Sequence, residues 1–256
     1  MFAIITIRPR RRAAAVAVAA LAVCAGCSAA PPGAASAGDP LEKVNRAVFA
    51  ANRAADRTVL KPLAEAYREH LPAAVQAGVH HVVGNLAEPR VAVDTMLQGK
   101  PTRSLEALQR LALNTTVGGA GVFDVAASWG LKPHDADFGE TLGVWGVKGG
   151  PYLMLPALGP SNVRDTIGTA VDFALDPLAY FGGAAILYAR LASGGAKLID
   201  VRAEHLRDLD ALEKSSLDFY AALRSAYRQH RASEIHDAKK PDAPAAAPPG
   251  PAAKGS

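Results

Sequence analysis

Thiols are almost absent from this chain: of its 256 residues only Cys24 and Cys27 are cysteine, and both precede residue 28. A disulfide framework, a thiolate zinc site and a cysteine nucleophile are therefore excluded downstream. Charge of one sign is scarce too. The formal charge is +4, and Arg8, Arg10, Arg11 and Arg12 account for all of it. Beyond residue 27, 24 basic side chains face 24 acidic ones, which leaves no steering field for nucleic acid. The apolar run Ala13–Val23 has 11 residues, where a bilayer-spanning helix needs roughly 20. Alternating strand patterns are almost missing as well.

What is present begins with an address. Arg8 to Arg12 form a positive n-region and Ala13 to Val23 an apolar h-region, as in a secretory signal. Leu21-Ala22-Val23-Cys24-Ala25-Gly26-Cys27-Ser28 follows and resembles a bacterial lipobox, in which the cysteine is acylated and becomes the new N-terminus. Small Ala25 and Gly26 before the cut favour Cys27 over Cys24 as the acylated residue, although Cys24 stands where Leu is usual. The alternative is a plain export signal. Ser28 after the acylated cysteine implies delivery to the outer membrane.

Residues 27–38 then read as a flexible tether and 236–256, with five prolines from residue 237 on, as a disordered tail. Between them, 39–235 reads as one all-α domain. Asp39-Pro40 signals a helix start, with Val44, Val48, Ala51 and Ala55 on one face. Lys61-Pro62, Leu71-Pro72 and Glu88-Pro89 each predict a restart. Leu105, Leu108, Ala112 and Thr116 line up on a further helix. The longest periodic stretch is Lys197 to Arg231, with Leu198, Val201, Leu209, Leu212, Leu223 and Tyr227 opposite Arg202, Asp208, Glu213, Lys214 and Arg224. By periodicity alone, a soluble bundle burying these stripes is favoured over a membrane arrangement.

Phe138 to Pro160 breaks the pattern. Six glycines and three prolines lie among Leu142, Val144, Trp145, Val147, Tyr152 and Leu153, so a long helix is untenable there. An apolar loop of this length is normally functional. A short hairpin at Thr141–Val147 is the expected local structure. In a bilayer, such backbone is tolerated only inside protein or beside a water-filled cavity.

Other motifs carry little chemistry. Gly118-Gly119-Ala120-Gly121 lacks the Lys-Ser/Thr of a phosphate loop. Adjacent His80 and His81 diverge by about 100° on a helix and rarely share an ion; the His134, Asp135, Asp137 group is equally superficial as a metal site. No Gly-x-Ser-x-Gly elbow exists. No catalytic residue, metal site or cofactor is indicated.

One resemblance spans the chain from Asp39 to about Ile235. Asp39-Pro40-Leu41-Glu42, Asn45-Arg46, Leu60-Lys61-Pro62 and Asn85-Leu86-x-Glu88-Pro89 are similar to the MlaA (VacJ) family of outer-membrane lipoproteins. So are Leu97-Gln98-Gly99-Lys100, Asn114-Thr115-Thr116-Val117-Gly118-Gly119, Asp137 through Val147, Gly150-Pro151-Tyr152 and Leu158-Gly159-Pro160-Ser161. Arg164-Asp165 and Arg224-x-x-Tyr227 continue the match. Val44, Ala51 and Lys148 depart from the family pattern.

The resemblance implies a ring of in-plane amphipathic helices around a central channel. It implies phospholipid as cargo, a trimeric outer-membrane porin and the periplasmic lipid carrier MlaC as partners, and no enzymatic step. Asp137, Glu140, Leu142, Trp145, Lys148, Tyr152, Arg164 and Asp165 are the candidate channel or lipid contacts, with Arg164 and Asp165 either forming an ion pair or binding phosphate. Two rival readings remain: a structural lipoprotein bracing a porin without transport, and a phospholipid hydrolase, which lacks a nucleophile–base motif.

Overall fold

The computed structural model describes residues 39–176 and 183–242. Cys24, Cys27, the signal segment, the tether and residues 243–256 lie outside them. The described chain is helical apart from one hairpin. Its order is α1 (Glu42–Ala55), α2 (Lys61–His70), α3 (Ala73–Leu97), α4 (Pro101–Thr116), α5 (Val125–Ser128), α6 (Phe138–Val144), β1 (Tyr152–Leu155), β2 (Gly159–Asn162), α7 (Val163–Leu175), α8 (Ala184–Glu204), α9 (Leu206–Ser215) and α10 (Phe219–Ala238).

Two predicted restarts are continuous helix. Between α1 and α2, Asp56–Leu60 is a π-helical turn. Pro62 has no N–H and its ring would crowd the carbonyl four residues back. Widening the turn accommodates it, and the Lys61 N–H reaches Asp56 O, five residues back. α3 runs straight through Pro89. The lost rung is offset by the most extensive helix pairing in the fold, α3 against α4. By contrast the restart at Leu71-Pro72 holds, since Leu71 is extended.

The long stretch Lys197–Arg231 is three helices. His205 leaves helical geometry, Ser216 is extended, and the Asp218 carboxylate caps α10 by accepting the Ala221 N–H. That last helix continues to Ala238, which is buried, and Asp242 accepts the Thr102 N–H at 2.7 Å. Ordered structure thus passes the expected boundary at Ile235, because α10 still has a packing partner there.

The hairpin lies later than expected. Thr141–Val147 falls in α6 and its C-terminal turn. Asp137 caps α6 by accepting the Glu140 N–H at 2.8 Å, the Asp-x-x-Glu pattern of a capping box. Gly146, at φ +91°, ends it: the Val147 N–H donates to Leu142 O and the Gly146 N–H to Gly143 O, a Schellman closure. β1 and β2 then pair antiparallel, Tyr152 opposite Asn162 and Leu155 opposite Gly159.

The apolar core is small and divided. Val91, Ala92, Ala107 and Ala136 form one cluster, Ala64, Ala203 and Leu206 another, and Tyr152, Met154 and Tyr220 a third under the hairpin. Among the described residues, buried polar side chains outnumber buried apolar ones, and no helix is long and apolar enough to cross a membrane.

Candidate functional site: a polar interior behind apolar helix faces

The stripes found in the sequence are real, but several face outward. On α4, Leu105, Leu108, Ala112 and Thr116 are all exposed, Leu105 by 54%, while Ser104, Ala107, Arg110 and Asn114 are buried. On α1, Val44, Ala51 and Ala55 are exposed and Asn45 is buried. On α8, Leu198 and Val201 are exposed while Asp200 and Arg202 are inside. The expectation that these stripes are buried in a soluble bundle is reversed: burial follows hydrogen bonding here.

Several of the buried charges have partners that explain their place. The Arg110 guanidinium donates to Glu88 (2.7 Å), Asp124 (3.0 Å) and Leu131 O (2.8 Å), joining α3 and α4 to the loop that follows. Asn114 donates to Asp124 and accepts the Ala126 N–H. Arg202 donates to Asp56 at 2.8 Å from α8 to the π turn. Removing one member of such a pair leaves an uncompensated buried charge, which costs about 3–5 kcal/mol.

Arg231 organises the largest network. Its Nη1 and Nη2 donate to Asp137 at 2.7 and 2.5 Å, its Nε to Asp165 at 3.1 Å, and Nη1 also to Glu234 at 3.0 Å. Arg164 donates to the same Asp165 at 2.6 Å, as do Asn162 at 2.6 Å and the Tyr227 hydroxyl. Burial works upward on the Asp137 carboxyl, but the Arg231 guanidinium outweighs it and holds the group below its ordinary value. Two glycines allow the approach of α6 and α7: a Cβ on Gly168 would lie 2.2 Å from Gly139 N.

Across α6 the polar lining continues with fewer bonds. Asp94 is fully buried and neither carboxylate oxygen has a hydrogen-bond partner. Arg90 Nη1 comes within 3.7 Å, and the nearby Thr141 hydroxyl donates to Asp137 O instead, at 3.2 Å. Burial first, then Asp172, pushes the Asp94 carboxyl up to about 7. Glu140 is also pushed up to about 7, by burial and then Asp137. Lys197 keeps open surface, yet desolvation and then Arg90 push its ammonium below the ordinary value, with Asp135, Asp172 and Asp137 working against the shift.

The expected contacts thus divide. Arg231 draws Asp137, Arg164 and Asp165 into one network, where Arg164 and Asp165 form an ion pair. Glu140 is buried beside it. Leu142 is half-buried and Lys148 exposed. Trp145 is exposed, and its indole N–H donates to Leu97 O at 3.0 Å. Tyr152 is buried at ring distances of 6.0 Å from both Tyr220 and Tyr227. His80 and His81 turn to different partners, Asp200 at 2.8 Å and Val122 O at 3.1 Å, and His134 meets Glu106 at 2.5 Å. Sequence reasoning missed Arg231, Asp94, Arg90 and Lys197, because their partners lie far away along the chain.

Apolar helix faces turned outward over buried charges, with no helix among the described residues long and apolar enough to cross a membrane, are features of proteins that lie within or on a lipid surface. Residues 37–234 match the MlaA lipoprotein family model, and the chain belongs to that family. An uncharacterised protein of Rickettsia bellii is 38% identical over 77% of this chain and 76% of its own. The intermembrane phospholipid transport system lipoprotein MlaA of Escherichia coli K12 is 34% identical, covering 80% and 81%. That of Haemophilus influenzae is 31% identical, covering 78% and 80%. A chain from a solved structure concerned with maintenance of bacterial outer membrane lipid asymmetry aligns with TM-score 0.68 and 34% identity, covering 77% of this chain and 98% of that one.

Proposed function

We propose that this chain is an outer-membrane lipoprotein that takes misplaced phospholipid from the outer leaflet and hands it to a periplasmic carrier, so maintaining the asymmetry of that membrane. The outward apolar faces carry this reading. Val93, Met96, Leu105 and Leu108 are exposed on α3 and α4, while Glu88, Asp94, Arg110 and Asn114 are inside. Such helices are stable lying in the plane of a bilayer, with their polar sides toward each other.

The in-plane helices ring a channel through which the head groups pass. Lipid passage needs no nucleophile, and the protein performs no chemical step. Acylation of Cys27 supplies the anchor, a trimeric porin the lateral partner and an MlaC-type carrier the acceptor. The names of the relatives, which place them in phospholipid transport, support this assignment.

Deletion of the gene tests it. The expected result is excess phospholipid in the outer leaflet and raised detergent sensitivity, restored by the full chain. Normal leaflet composition in a clean deletion would end the transport reading. Photoprobes placed between Phe138 and Pro160 should cross-link to both lipid and porin.

A further inference from the structure

The turn between α3 and α4 and the end of α10 hold each other by a reciprocal clasp. Lys100, the residue before α4, donates from Nζ to Asp237 O in the last turn of α10 at 3.2 Å. In return Asp242, just past α10, accepts the Thr102 N–H at the start of α4 at 2.7 Å and lies 3.9 Å from Arg103 Nε. The charges suit the helix ends they meet, a cation at a C-terminus and an anion at an N-terminus.

One member of the clasp is held weakly. Lys100 is 2% exposed, that carbonyl is the only hydrogen-bond partner of its ammonium among the described residues, and no carboxylate pairs with it there. Burial, and then Arg103, pushes the ammonium below its ordinary value, with Glu140, Asp242 and Asp237 working the other way. Glu140 stands across the same contact. It is 8% exposed and its carboxyl makes no hydrogen bond among the described residues. The charges facing it are Asp137 at the start of its own helix, Arg231 and Glu234 on α10, and Lys100. One turn along α6, a Cβ on Gly143 would lie 2.8 Å from the Ile235 side chain of α10. A buried ammonium with one neutral acceptor and a buried carboxyl with no donor thus lie in each other's field without pairing, a costly state once both are charged.

We propose that Lys100 is a two-position latch: it holds the end of α10 while Glu140 carries its proton, and swings its ammonium to Glu140 when that proton leaves, releasing residues 237–242 from α4. The flexible lysine stem lets the ammonium move while the backbone stays in place, with Lys100 O accepting the Ser104 N–H at 3.1 Å. Each position satisfies one group at the expense of another, which is the condition for a two-state element. Burial, and then Asp137, pushes the Glu140 carboxyl up to about 7, so the proton is exchanged near neutrality and the released form is favoured above it. The latch stands apart from the transport reading, since leaflet composition tests that one and amide exchange tests this one.

The test is hydrogen exchange of the full chain in detergent at pH 6 and pH 8, corrected for intrinsic rates. The Lys239 and Lys240 amides, which donate to Ile235 O and Asp237 O, and the Thr102 amide should exchange about tenfold faster at pH 8. That factor is the rise in the deprotonated fraction of a group near 7 across the interval, about tenfold. Residues 104–116 of α4 should not follow. Glu140→Gln, which cannot ionise, should stay protected at both pH values, and Lys100→Met, which loses the hold on Asp237 O, should be open at both. Equal protection of the wild type at the two pH values, a rise spread evenly along α4, or a response that Glu140→Gln retains overturns the latch. The first two outcomes are read on the wild type and do not depend on a variant folding.

Discussion

The side chain of Asn45 completes the backbone of Met154: its carbonyl oxygen accepts the Met154 N–H at 2.9 Å while its amide donates to Tyr152 O, also at 2.9 Å. Seven residues on, Asn52 repeats the arrangement with Ala157 N–H and Leu155 O. Two turns of α1 thereby close the open edge of β1, an edge that would otherwise expose unpaired backbone groups.

Asn45→Ala should destabilise the fold by about 2–6 kcal/mol, because two buried backbone groups lose their partners at about 1–3 kcal/mol each. Asn45→Asp should be no better, since a carboxylate cannot donate to Tyr152 O and would face Asp39. Denaturant unfolding in detergent measures both. Wild-type stability in either variant would mean the hairpin edge is held by something else.

Gly168→Ala and Gly84→Ala should part company. The first places a methyl group 2.2–2.4 Å from the backbone of Gly139, so α6 and α7 must separate; overpacking of this kind costs about 1–3 kcal/mol or more. The second meets nothing within 4 Å in the middle of α3 and should stabilise by roughly 0.5–1 kcal/mol through helix propensity. Thermal midpoints of the two variants decide it.

Asp94 and Glu140 make stability fall as pH rises. Both carboxyls sit near about 7 when folded, against roughly 4 in an unfolded chain. Between those values the folded state holds more protons, so each group loses stability across that window and carries its full cost above pH 7. Asp94→Asn should therefore gain on the wild type toward pH 8, and the gap should shrink toward pH 4.5. A gap in melting temperature that stays constant across this range would show that Asp94 is charged throughout.

Leu105→Lys with Leu108→Lys, placed in a Cys27→Ala background that lacks the proposed anchor, should move protein from the membrane to the soluble fraction. A Lys at the centre of a bilayer costs about 2.5–3.5 kcal/mol, and less near the interface, whereas on a water-facing surface the same change is worth within about 0.5 kcal/mol. Unchanged partitioning would put α4 in water.

Helix positions were legible where caps and prolines act locally, as at Leu71-Pro72. They were illegible where tertiary packing overrides a local rule, as at Pro89, where pairing with α4 carries the helix past a missing hydrogen bond. The start of α6 was written in Asp137-x-x-Glu140, but the surrounding glycines obscured it. Of the site, Asp137, Arg164 and Asp165 were visible as charges beside an apolar loop. Arg231, which unites them, lies 94 residues from Asp137 and 66 from Asp165, and nothing in its own neighbourhood announces those partners.

By itself the sequence determined the elements: a 3.6-residue period, breakers at the turns, balanced charge and no apolar run long enough to span a bilayer. Those are properties of neighbours along the chain. Only the tertiary structure decided which side of each helix is inside. An amphipathic helix is equally regular with its apolar side toward a core or toward lipid, and the choice rests on Glu88 meeting Arg110 and Asp165 meeting Arg231, contacts that exist only once distant segments have packed.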